Sequence, residues 1–139
     1  MTQSDKDLLL KDLCGRVLYG VKFKHSIYPN VCEILSITPI YNYNNVEYFD
    51  DAINHPKECD VDEIKPYLFP LSSMTEEQKE ELDKYFDMDT KSLLDGYKNG
   101  LRCPHTYFIV QDWYNKNHFD YRGLIEKGLA IDATGLNIY

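Results

Sequence analysis

The chain is short of the features that mark the common catalytic and nucleic-acid-binding classes. Its 7 glycines never fall into the GxGxxG or GxxxxGK[ST] spacing that lets backbone amides cradle a phosphate. There is no GxSxG elbow and no HExxH helix, so neither a nucleophile on a strained turn nor a helical zinc pair is announced. Basic charge is scarce on both sides of the middle: seven basic against eleven acidic residues over 1–70, and eight against twelve over 71–139. A formal net charge of -8 with no basic half argues against duplex nucleic acid, whose binding rests on neutralising phosphates. Apolar runs such as Phe108 to Val110 are far too short to span a bilayer, so no membrane partner is expected. Met1 opens the polar run TQSDKD in place of a secretory leader, and the chain is expected to stay in the compartment where it is made. The 4 cysteines (Cys14, Cys32, Cys59, Cys103) form no CxxC pair and read as reduced thiols.

What is present is ordinary apolar content, 43%, together with 12 tyrosines. Tyrosine combines broad contact area with a polar tip, so the surplus serves either core packing or a recognition surface. At 139 residues the expectation is a single domain, 1–139, mostly β with an N-terminal helix over 1–70 and mostly helical over 71–139. The expected fold class is α+β, a small curved antiparallel sheet flanked by an N-terminal helix and C-terminal helices.

Locally, Ser4 with Asp7 suggests a capping box for a helix from about Asp5 to Cys14, with the stripe Leu9, Leu10, Leu13 and a stop at Gly15. Val17 to His25 and Val31 to Ile40 are β-branched and aromatic, joined by Tyr28-Pro29-Asn30. Asn44-Asn45 suits a two-residue turn that would pair Tyr43 with Val46 and Tyr41 with Tyr48. That face of three tyrosines is either packed or an open stacking platform. Ile53 to Asp60 reads as a polar loop, and Val61 to Phe69 as a last strand that Pro66 and Pro70 confine to an edge. Thr75 and Gln78 form a capping box ahead of the stripe Gln78, Leu82, Tyr85, Phe86. Pro104 opens a helix to about Asn117 bearing Tyr107, Val110, Trp113 and Tyr114. Asp120 caps a last helix from Tyr121 to Lys127 closed by Gly128, before a strand at Leu129 to Asp132.

Three groups carry chemistry. His118-Phe119-Asp120-Tyr121-Arg122 is the densest: His118 and Asp120 could share a proton, and Arg122 could grip a phosphate. The competing reading makes Asp120 a cap, Phe119 and Tyr121 core, and Arg122 the partner of an acidic neighbour. Lys65 to Pro70 would project Tyr67 and Phe69 from one side of an extended strand, while Lys22 and Lys24 alternate on another. Finally, His55 and Cys59 with Cys103 and His105 would make a zinc set if their two loops met. No cofactor and no resident metal is called for by any motif.

The blocks LLLKDLCGRVLYGV, IKPYLFPLSSMTEEQ and DWYNKNHFDYRGLIEKGLAI resemble small hypothetical proteins of phages and prophages of Bacteroides-type gut bacteria. They cover about a third of the chain in order. The stretch from Asp87 to Thr106 and details of the tyrosine-rich hairpin depart from that pattern. The resemblance implies a phage-derived accessory protein acting in a bacterial host cytoplasm, and carries no activity or catalytic residue with it. The leading expectation is therefore a binding protein that counters host defence by sequestering a nucleotide signal. Tyr41, Tyr43, Tyr48, Tyr67, His118, Asp120, Tyr121 and Arg122 are its candidate ligand-binding residues. The alternatives are an inhibitor or assembly partner that binds a host or phage protein, and a small hydrolase or nuclease. A homo-oligomer is compatible with all three.

Overall fold

The computed structural model describes residues 1–40, 43–50, 53–85 and 105–139. The fold is α+β, with an N-terminal helix, a six-stranded and mostly antiparallel open sheet, and helices in the C-terminal half. Helix α1, Gln3–Arg16, is capped by Thr2. The Thr2 hydroxyl accepts the Asp5 amide at 3.2 Å while the Asp5 carboxylate accepts the Thr2 amide at 3.0 Å. T-x-x-D thus wins over the overlapping S-x-x-D expected at Ser4, and the helix starts earlier. It also runs past Gly15, which serves close approach and stops nothing: a Cβ there would sit 2.7 Å from Asn115 Nδ2. The chain reverses at Gly20, whose φ of 64° suits glycine. Val17–Tyr19 is accordingly a 3-10 turn, and strand β1 is only Lys22–His25.

Strand β2, Val31–Ile40, falls where expected. Strand β3, Tyr43–Asp50, does not begin at an Asn44-Asn45 turn. Tyr43 pairs with Ile40, and Asn44 and Asn45 lie within the ladder opposite Pro39 and Thr38. The turn-forming tendency of Asn-Asn loses because the earlier reversal ladders all of β2. Val46 then pairs with Ile37 and Tyr48 with Ile34, and a register shift between Ile34 and Ser36 leaves Leu35 as the extra, exposed residue. Ile53 to Asp60, expected as a loop, is strand β4, Ile53–Asp60. It pairs only with β3, and an edge strand tolerates both its polar residues and Pro56.

The turn Val61–Glu63 leads to strand β5, Ile64–Leu68. Sheet order is β4-β3-β2-β1-β5, completed by β6, Ile131–Asp132, parallel to β5. Strands β4 and β5 are therefore four positions apart in the sheet but three residues apart in the chain. A link of that length reaches at most ~14 Å, whereas four inter-strand steps in a flat sheet span ~19 Å. The sheet must curl at this end, and the curl brings β1, β3, β4 and the turn around one interior. Strand β5 is internal, contrary to the edge position that its prolines suggest. Ser26 N–H donates to Glu63 C=O at 2.7 Å, so alternation makes Lys65 the next residue whose amide faces β1. Pro66, opposite Phe23, occupies the position that owes β1 no hydrogen bond.

Leu9 and Leu13 of α1 pack on Phe23, Ile34, Val46, Tyr48 and Leu68 to form the main core. A second cluster joins Leu82, Val110, Trp113 and Phe119. Leu82 comes from helix α2, described over residues 76–85 and opened by the Thr75/Gln78 box as expected. Val110 and Trp113 come from helix α3, His105–Lys116. Beyond it, residues 121–128 form successive turns and no helix. Asp120 accepts the amides of Leu124 and Ile125, both at 2.8 Å, instead of those two and three residues on, and Gly123 has φ 71°. Among the described residues no helix is long and apolar enough to cross a membrane. Ser92 to Tyr97, where the sequence also allows a short helix, lies outside the described residues, as do Tyr41, Phe86, Cys103 and Pro104.

Candidate functional site

The cluster at 118–122 is brought together, and its polar groups are turned inward on the fold, with His118 Nδ1 and Arg122 Nε buried without a hydrogen-bond partner. Asp12, on the inner face of α1, is fully buried and receives Arg16 through two hydrogen bonds of 2.7 and 3.0 Å. Arg16 also donates to the carbonyls of Phe119, at 2.7 Å, and Tyr114. Arg122 lies beside the same carboxylate, Nε to Oδ1 3.3 Å, with its guanidinium 4.7 Å from the centre of the Tyr121 ring. Tyr121 is stacked on Tyr114, and its hydroxyl accepts from Gln111. Asp120 uses both oxygens as a cap and makes no hydrogen bond to His118. His118 is buried in a left-handed conformation, φ 57°, and its ring is stacked 3.8 Å from that of Tyr139. Burial, aided by Arg16 and Lys22, lowers its pKa to about 4. It is a neutral ring fixed in the packing, and no shared proton joins it to Asp120.

Two of the candidate ligand-binding tyrosines are interior. Tyr48 is 1% exposed and edge-on to Phe23, and Tyr67 is buried with its carbonyl accepting the Tyr139 hydroxyl. The side chains of Tyr41 and Tyr43 lie outside the described residues. The zinc set also changes. His55 and Cys59 share one extended strand, where four residues cover ~13 Å, too far for one ion. His55 is exposed while Cys59 is buried. Cys103 and the His105 side chain lie outside the described residues.

The curl of the sheet makes a different site. At its mouth is a cleft of about 350 Å³ whose walls include Lys24, His25, Ser26, Asp62, Glu63 and Lys65. Lys24 and Lys65 stand directly opposite each other across the β1–β5 ladder, both exposed. Facing like charges destabilise a strand pair, and no described carboxylate forms an ion pair with either. The acids nearby are engaged. Asp62 pairs with Lys6, and Glu63 accepts the Asp60 amide at 2.9 Å in a capping box.

Behind the lysines, His25 is 3% exposed and set between the rings of Tyr28 and Tyr48, at 4.9 and 5.8 Å. Its Nδ1 accepts the Ile27 amide at 3.0 Å. Donor atoms of His25, Cys59 and Glu63 all lie within 4.8 Å of one another. Burial, then the charges of Glu63, Cys32 and Asp60, push the Cys59 thiol up to about 12, so it stays protonated and is not a poised nucleophile. Sequence reasoning registered Lys24, Lys65 and Cys59 but not their meeting, nor His25 and Glu63. The D-x-x-E box at Asp60–Glu63 was the one local signal available, since it predicts a tight turn and hence a sharp return of the chain. In comparisons with known proteins, no family model, no curated protein and no solved structure matches the chain.

Proposed function

We propose that the protein is a non-catalytic binder of a small phosphate-bearing ligand, held in the cleft between Lys24 and Lys65. The observation that carries this reading is the opposed, unpaired lysines at the rim of a cleft large enough for a small molecule. An anion bridging the two ammonium groups would turn a repulsive strand pair into a favourable one, and the Ser26 hydroxyl adds a donor on the same wall. Overall acidity does not oppose this, because the cleft's own carboxylates, Asp62 and Glu63, are held by Lys6 and by the Asp60 amide. The resemblance to phage and prophage proteins extends the proposal to an accessory protein that sequesters a nucleotide signal of host defence. Thermal shift with cyclic dinucleotides and adenosine–ribose signals tests it. A ligand at a hundred times its Kd should stabilise the fold by about 2.7 kcal/mol, and the Lys24→Ala/Lys65→Ala double variant should lose that gain. No shift with any of these ligands sinks the nucleotide version.

A second reading, a protein-binding inhibitor or assembly partner, is favoured by a separate observation. Leu18 and Phe108, 87% and 64% exposed, flank a shallow groove between α1 and α3. On that reading Leu18→Ser abolishes capture of a host or phage protein and leaves the nucleotide response intact.

A further inference from the structure

We propose that His25, Cys59 and Glu63 form a binding site for a zinc-like divalent metal at the inner wall of the curled sheet. The three donors come from β1, from the end of β4, and from the turn that joins β4 to β5. Their convergence follows from the three-residue link that forces the curl. An imidazole nitrogen, a thiolate sulfur and a carboxylate oxygen make a borderline-soft set of the kind zinc takes, whereas calcium and magnesium prefer oxygen alone.

With their donor atoms within 4.8 Å of one another, modest side-chain rotations suffice to close on one ion. Glu63 accepts the Asp60 amide through Oε2, so that hydrogen bond orients the carboxylate and leaves Oε1 for a metal. The His25 ring packs against those of Tyr28 and Tyr48 in tilted contacts at 4.9 and 5.8 Å. Whichever ring nitrogen coordinates, the other carries the proton, so the Ile27 amide must turn away from the imidazole. Ile27 is 71% exposed, and water can satisfy its amide. Three protein ligands leave a fourth coordination position, and His25 and Glu63 both line the cleft, so that position opens toward it. The thiol proton is released to solvent on capture, which makes affinity rise with pH.

This inference stands apart from the phosphate reading, because it is tested with the metal alone. The full chain, stripped with chelator, is titrated with Co²⁺. One equivalent should give the intense visible bands of tetrahedral cobalt together with a sulfur-to-metal charge-transfer band. Cys59→Ser should lose the charge-transfer band, and Glu63→Gln, which leaves the thiol in place, should weaken binding by more than about tenfold. Cys14→Ser, Cys32→Ser and Cys103→Ser should keep both spectrum and affinity. Should Cys59→Ser fail to fold, zinc protection of Cys59 against alkylation in the wild-type chain, read by mass spectrometry, replaces it. A silent titration, a charge-transfer band that survives Cys59→Ser, unchanged affinity in Glu63→Gln, or no protection of Cys59 each overturns the site. Lys24→Ala/Lys65→Ala should bind cobalt normally, so loss of the nucleotide response there leaves the metal site standing.

Discussion

The knot around Asp12 and the cleft around Lys24 both gather charges, with opposite outcomes. In the knot, Asp12 and Arg16 have no exposed surface, and four hydrogen bonds tie Arg16 to one carboxylate and two carbonyls. Those carbonyls belong to Tyr114 and Phe119, so the pair fastens α1 to the end of α3 and the segment after it. In the cleft, two lysines stand opposite each other with no ion-pair partner among the described residues, while the carboxylates on its wall, Asp62 and Glu63, are held elsewhere. A polar group that is satisfied inside the protein serves the fold, and the proposed ligand site rests on the opposite arrangement, like charges left facing each other at the surface.

The sharpest way to test that division is to remove one charge from the knot. Asp12→Ala leaves Arg16 buried without its partner and should cost about 3–5 kcal/mol, read as a lowered urea midpoint. Next in size is a pH effect. The unfolded chain protonates His118 near its ordinary value of 6.5, whereas the folded protein resists until about 4. Above 6.5 neither state carries the proton and nothing changes. As pH falls from 6.5 toward 4 the folded state loses as much as about 3 kcal/mol, in urea titrations repeated across that range. His118→Asn, which tolerates the same backbone conformation, should flatten the profile. Gly15→Ala should destabilise by about 1 kcal/mol, because displacing the buried Asn115 side chain outweighs the gain in helix propensity. The smallest change in stability is expected at the cleft: Lys24→Ala/Lys65→Ala should stay within about 0.5 kcal/mol of wild type, or rise slightly as repulsion is relieved. A large loss there would erase the contrast between the two regions.

The parts of this architecture legible in the sequence are those set by neighbours in the chain. The Thr75/Gln78 box, the bounds of β2 and the buried stripe of Val110 and Trp113 follow from local pattern, and each is found. Where distant partners decide, local signals mislead. Asn44-Asn45 is drawn into a ladder by the length of β2, Pro56 and its polar neighbours gain strand geometry only from β3, and Gly15 answers to Asn115 a hundred residues away. The cleft was illegible for the same reason. Lys24 and Lys65 are opposed only through the β1–β5 register, and His25 meets Cys59 and Glu63 only because the sheet curls.

Calorimetric titration of the same nucleotide panel into wild type, Lys24→Ala/Lys65→Ala and Arg122→Ala addresses the central claim most directly. At least one phosphate-bearing member should bind wild type and Arg122→Ala with the same one-site affinity and give no heat with the double lysine variant. Equal binding to all three proteins, or loss confined to Arg122→Ala, would contradict the assignment of the ligand to the cleft.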